Sequence, residues 1–157
     1  MTKYLAQLNV GRLRHPVDDP RVADFVNNLD LVNGIAERSP GFVWRLKDDS
    51  GNATSIKVSD DPLFIINMSV WRSVEDLERF VFQTVHHRFY ARRKEWFEVM
   101  GTQYVVMWWV DPGHVPSIEE AMDRLKSLQT NGPSADAFGW KELRDARLWQ
   151  ASRCAAE

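Results

Sequence analysis

Leu63-Phe-Ile-Ile-Asn-Met-Ser-Val-Trp71, running on through Arg72-Ser73 to Arg92-Arg93-Lys94-Glu95-Trp96-Phe97, is the stretch on which the fold turns. Alternation along a strand sends Leu63, Ile65, Asn67, Ser69 and Trp71 to one surface and Phe64, Ile66, Met68 and Val70 to the other. Both surfaces are largely apolar, so the strand expects cover on both: helices on one side and a further layer, such as a second sheet, on the other. Asn67 is the odd member. A buried amide left unpaired costs about 1 to 3 kcal/mol, so Asn67 either bonds neighbouring backbone or points into a wet, ligand-sized cavity beside Trp71.

Ser73, with Asp76 three residues on and Glu75 and Glu78 in the first turns, marks a helix start that suits the positive end of the dipole. The spacing predicts one helix from Val74 to about Trp96. Leu77, Phe80, Val81, Thr84 and Val85 form the stripe that packs on a sheet. Phe82, His86, Phe89, Tyr90, Arg93 and Phe97 form a second stripe on another side, where a surface helix is ordinarily polar. A third helix, a partner subunit or a ligand must cover it.

The rest of the chain supplies the neighbours of this unit. Tyr4 to Leu13 reads as a first strand, again with a polar member, Asn9. Asp19 and Pro20 open a helix with apolar residues at Val22, Phe25, Val26, Leu29, Val32 and Ala36, stopped by Ser39-Pro40-Gly41. Phe42 to Asp48 is a second strand with Phe42, Trp44 and Leu46 on one face. The polar stretch from Asp48 through Asn52 and Ser55 to Pro62 is long enough to be a lid, a site wall or a mobile hairpin tip. Tyr104 to Asp111, apolar on both faces, is expected at the centre of the sheet. Ser117 and Glu120 form a capping box for a third helix through about Gln129, closed by Asn131-Gly132-Pro133. Ala137 to Trp140 suits a short edge strand, and the remaining tail a short charged helix or disorder. Strand, helix, strand, strand, helix, strand is the order of an α+β, ferredoxin-like split β-α-β fold: an antiparallel sheet with helices on one face.

Composition narrows the function. A 157-residue chain that is 44% hydrophobic and 27% charged reads as one domain spanning 1–157, with its core at about 4–140 and a tail over 141–157. The net charge of -2, with acids and bases interspersed, argues against nucleic acid and anionic membrane as partners. The first residues lack a signal-peptide core, and no apolar run approaches the roughly 20 residues that span a bilayer, so the chain reads as cytoplasmic. Its one cysteine, Cys154, permits neither an internal disulfide nor a thiolate metal cluster. No His-x-His, His-Glu-x-x-His or cysteine pair points to a bound metal, and no phosphate loop, Ser-x-x-Lys helix start or nucleophile elbow points to nucleotide or acyl-enzyme chemistry.

The order of elements, together with Gly41-Phe42-Val43-Trp44-Arg45-Leu46, Gly51-Asn52-Ala53-Thr54, Asn67-Met68-Ser69-Val70-Trp71 and the run from His86 to Phe97, resembles a family catalogued as domain of unknown function 3291. The resemblance covers about Tyr4 to Trp140. That family resembles a branch of the dimeric α/β-barrel superfamily, which includes cofactor-independent antibiotic-biosynthesis monooxygenases and haem-degrading oxygenases. The resemblance implies a homodimer whose sheets face one another, with a cavity between each sheet and its helices. It also implies that Asn67 and Trp71, four apart on the third strand, match an Asn and a Trp of the monooxygenases. Asn9, Trp71 and His86 or His87 are the candidates for the Asn, Trp and haem-ligating His of the haem enzymes.

Adjacent positions on a helix point about 100° apart, so His86 and His87 cannot both ligate one metal from the same turn. His86, on the aromatic stripe, is the site candidate, against the alternative of a structural histidine. The expected catalytic set is Asn67, Trp71, His86 and Arg93, with Asn67 steadying an enolate or phenolate oxygen and His86 or Arg93 as base or cation. Asn9, Trp44, Phe82, Tyr90 and Trp108 are the expected substrate-binding residues. The expected function is a small-molecule enzyme similar to cofactor-independent monooxygenases of aromatic or polyketide metabolism, with no bound cofactor. The alternatives are a haem-binding or haem-degrading protein, and a non-enzymatic small-molecule-binding dimer.

Overall fold

The structure, a computed structural model, describes residues 2–48 and 59–156. The expected lid or site wall falls largely on 49–58, outside the described residues. Four strands form one antiparallel sheet: β1 (Tyr4–Arg12), β2 (Phe42–Arg45), β3 (Phe64–Trp71) and β4 (Val105–Val110), in the order β2-β3-β1-β4. This is the ferredoxin-like arrangement, with the crossover helices of the two β-α-β units packed on one face. In the register Leu5 faces Trp71, Gln7 faces Ser69 and Asn9 faces Asn67. All six are therefore on the same face, one layer below the helices.

Three expectations about this sheet are corrected. β4 is an edge strand, not a central one; its outer side is met by a single bridge between Met107 and Phe138, which replaces the expected last strand. Its two apolar faces come from cover above and below the sheet, which an edge strand receives as readily as an inner one. In β2 an irregularity between Phe42 and Trp44 shifts the register, so Phe42 faces Trp71 while Trp44 faces Val70. Phe42 thus joins the helix side, and Trp44 and Leu46 the opposite core. That opposite face is not left bare, either. A helix after β4, α6 (Ile118–Asn131), lays Ala121, Leu125 and Leu128 across Ala6, Leu8, Val106 and Trp108, all of them buried.

The helix side is built from short pieces. Asp19 accepts from the Arg21 N–H and Pro20 starts a 3-10 turn over Pro20–Val22, as the Asp-Pro pair predicts. The single helix expected after it is broken into α1 (Ala23–Asn27) and α2 (Leu29–Arg38) at Asn28, whose amide donates to the Asp24 carbonyl at 2.7 Å. The expected helix from Val74 to Trp96 is likewise α3 (Val74–Gln83), α4 (His86–Ala91) and α5 (Arg93–Trp96). Thr84 makes the first break: its backbone is extended, its hydroxyl donates to the Phe80 carbonyl at 2.6 Å and accepts from the His86 N–H at 3.2 Å. The side chain takes over bonds that a continuous helix would have made with backbone.

At the other end of α3 the hydroxyl of Ser73 caps the Asp76 N–H, as its sequence predicts. Gly41 packs directly on this cap. Its φ is +82°, and a Cβ built there would stand 2.0 Å from Asp76 Oδ2. Gly41→Ala combines a left-handed backbone with that collision, and a loss of at least about 2 kcal/mol in urea unfolding is the expected result; an unchanged midpoint would show that the α3 start moves freely.

After β4, α6 (Ile118–Asn131) begins at the Ser117 cap and ends at Gly132, φ +79°. The tail folds back as α7 (Arg147–Ala156) against α3, with Leu143 and Ala146 beside Leu77 and the Trp149 N–H donating to buried Glu78 at 3.0 Å. A carboxylate near a helix N-terminus is stabilised by the orphan N–H groups there.

Candidate functional site

Between the face of the sheet that carries Asn67 and helices α1 to α5 lies a cavity of about 370 Å³, within the range of small-molecule sites. Asn9, Asn67, Trp71, His86, Tyr90 and Arg93 all line it. Burial along β3 locates it as well: Asn67 is exposed although Ile66, Met68 and Ser69 on either side are buried.

The floor is a polar relay on an otherwise apolar sheet. Gln7 Nε2 donates to Asn67 Oδ1 at 2.9 Å and to Ser69 Oγ at 2.7 Å. Asn9 Nδ2 donates to Gln7 Oε1 at 3.0 Å and to Asn67 Oδ1 at 3.2 Å. Trp71 Nε1 donates to Ser69 Oγ at 2.9 Å. Cross-strand pairing puts these groups opposite one another, and together they meet the bonding needs of the buried Gln7 and Ser69. Gln7 and Ser69 were not among the candidates read from sequence. The signal was present, since Gln7 with Asn9 and Asn67 with Ser69 are polar residues at strand period two, one pair on each of two strands.

The wall opposite is aromatic. Phe80 stacks on Trp71 at 5.2 Å between centroids and meets the His86 ring at 4.8 Å; His86 in turn lies parallel to Tyr90 at 6.3 Å. His86 Nδ1 lies 3.2 Å from the Val81 carbonyl, a contact opened by the break at Thr84. A carbonyl only accepts, so Nδ1 carries the hydrogen and Nε2 keeps its lone pair. Burial is the main cause pushing the His86 imidazole below its ordinary value, with the neighbouring His87 adding to it. Burial raises the Tyr90 phenol. Arg93 lies over the Tyr90 ring at 4.2 Å and donates to the Tyr90 carbonyl at 2.9 Å, and among the described residues it has no ion pair. Arg92 instead turns outward to Asp24 and Glu95.

Three expected substrate-binding residues lie elsewhere. Trp44 packs in the core on the α6 side of the sheet because of the β2 irregularity. Trp108 is 1% exposed in the same core, its Nε1 donating to Glu120 Oε2 at 2.9 Å. Phe82 is outside the cavity lining, packed against His87 and against the outer sides of Tyr90 and Trp140, which do line it. His87 is exposed, which leaves His86 as the cavity histidine. Among the described residues no three His, Cys, Asp or Glu side chains converge as a metal site, and no helix is long and apolar enough to cross a membrane.

The family model described as Domain of unknown function (DUF3291) matches residues 4–154. The chain belongs to that family. The match to this DUF3291 chain runs into α7. A solved structure, the crystal structure of PA3566 from Pseudomonas aeruginosa, is similar at a TM-score of 0.46 and 14% identity, covering 73% of this chain and 98% of its own. No curated protein matches the chain.

Proposed function

We propose that the cavity is the active site of a small-molecule enzyme, similar to the cofactor-independent monooxygenases, acting on an aromatic or polyketide-like substrate with dioxygen as oxidant. The observation that carries this is the His86 Nδ1–H bond to the Val81 carbonyl: in the neutral imidazole that burial favours, it leaves the Nε2 lone pair unused on a residue that lines the same cavity as Asn67, whose amide nitrogen has no partner among the described residues. Nε2 takes a proton from a ring CH2 flanked by a carbonyl, and the Asn67 amide hydrogen-bonds the enolate oxygen that forms. The Arg93 guanidinium adds positive charge to the same space. The enolate delivers its electrons to dioxygen; a C–O bond forms, His86 returns its proton to the peroxide anion, and the resulting hydroperoxide loses water, turning CH2 into C=O. One dioxygen is consumed and one water released per turnover, so no outside reductant is needed. Aromatic walls shield the anion from bulk water.

Incubation of the protein with a panel of phenols and anthrones under oxygen tests the reading, with oxygen uptake matched to ketone formed as the expected result. Tight binding with no uptake would leave a non-enzymatic binding dimer. A haem-binding or haem-degrading protein is the second reading, favoured by the same Nε2 lone pair: haemin would then show a Soret shift that His86→Ala removes. Pairing with a second copy belongs to the proposal through the family resemblance alone, since α6 supplies the further layer expected on the second face of the sheet. Light scattering at micromolar concentration is expected to give twice the 18.2 kDa chain mass, and a monomer would remove this part alone.

A further inference from the structure

We infer that the Asn9–Asn67 pair selects the ligand, and that it takes a flat ring whose edge carries an N–H beside a C=O: a cyclic amide. The inference rests on the cavity being a small-molecule site and adds the chemical class of what that site holds. Hydrogen-bond saturation of the relay is the argument. Both Asn9 Nδ2 hydrogens are used, on Gln7 and Asn67, and both Gln7 Nε2 hydrogens are used, on Asn67 and Ser69. Asn67 Oδ1 accepts two bonds. What remains toward the cavity is the Asn67 Nδ2 amine and the Asn9 Oδ1 carbonyl, neither with a partner among the described residues.

Turning all three amides over leads to the same place. The Ser69 hydroxyl would then donate to Gln7 Oε1 while still accepting from Trp71 Nε1, and the relay would close in the opposite sense. Asn67 would offer its oxygen and Asn9 its nitrogen. In either sense the cavity meets one donor and one acceptor on paired positions of adjacent strands.

A carboxylate presents two acceptors to this pair and leaves one amide oxygen facing an acceptor. A phenol beside a ketone closes its own internal hydrogen bond and offers neither group. A lactam holds donor and acceptor side by side and cannot join them to each other. Its ring also suits the aromatic wall of Phe80 and Tyr90.

Calorimetric titration of the full chain with 2-quinolone and with N-methyl-2-quinolone tests this, because methylation removes only the donor and keeps the ring. 2-Quinolone is expected to bind about tenfold or more tightly, the scale of one unmatched polar group. Asn9→Asp replaces a donor by a second acceptor, so the relay can settle only with two acceptors toward the cavity; the lactam C=O then meets an acceptor, and the affinity for 2-quinolone is expected to fall about tenfold or more while its lead over the N-methyl compound remains. Equal affinities in the unaltered protein, or no saturable binding of either compound, would overturn the inference whether or not the variant folds. Oxygen uptake separates the two claims. A lactam preference without uptake removes the oxygenase and keeps the lactam site, and uptake on anthrones with equal quinolone affinities does the reverse.

Discussion

Replacing His86 by alanine is expected to lower kcat for the oxygenation by about 10²- to 10⁴-fold, the range for loss of a positioned general base, with KM changed far less. In the proposed mechanism the ring bonds the substrate proton only in the transition state, so its loss falls on kcat. The same residue sets the pH profile. Its folded pKa lies below the ordinary imidazole value because burial disfavours the cation, so kcat/KM is expected to be flat at neutral pH and to fall only on the acid side. Stability moves in the same direction: the unfolded chain binds a proton at about pH 6.5 where the folded chain does not. Stability therefore holds above that pH and declines as the pH drops toward the lowered folded value. His86→Ala should remove that component of the acid sensitivity. A variant with full kcat would dismiss His86 as the base, and a rate that falls on the alkaline side instead would contradict the neutral imidazole.

Trp71→Ala is expected to be the most destabilising substitution around the cavity. The side chain is 1% exposed, stacks on Phe80, meets Phe42 edge-on at 5.5 Å and bonds Ser69 through Nε1. Emptying such a site costs about 3 to 5 kcal/mol, which for a chain of this length lowers Tm by on the order of 10 °C. Trp71→Phe separates the two contributions. It keeps a ring between Phe42 and Phe80 and loses one donor to a hydroxyl that Gln7 still bonds, so a cost nearer about 1 kcal/mol is expected. Thermal and urea unfolding of both variants give the comparison. An alanine variant within about 1 kcal/mol of the parent would mean that the aromatic wall collapses onto the sheet and that the cavity has no fixed shape.

The fold was legible because its signals are local. Alternation along Phe64–Trp71 and the Asp19-Pro20, Ser73 and Ser117 caps each depend on residues within one or two turns of one another, and they placed the strands and helix starts; the Glu120 side chain of the expected box bonds Trp108 and His114 instead. The same periodicity placed Asn67 and Trp71 on one face and His86, Tyr90 and Arg93 on a helical side that required cover, and all five line the cavity.

Tertiary structure decided what periodicity does not encode. An apolar strand reads alike at the centre or the edge of a sheet, so the position of β4 followed from pairing partners far along the chain. One extra residue at Val43 reverses the faces of everything after it, which moved Trp44 out of the site. The cover supplied by α6 was hidden because its stripe names no target, and aromatic content alone could not distinguish Trp108 in the core from Trp71 at the cavity. The Thr84 break was equally hidden: a hydroxyl's competition with backbone is weak in isolation and wins only where packing holds the chain extended. That break exposes the Val81 carbonyl to His86, and so the tautomer on which the proposed chemistry rests comes from the folded backbone, while the residue that carries it was already marked in the sequence.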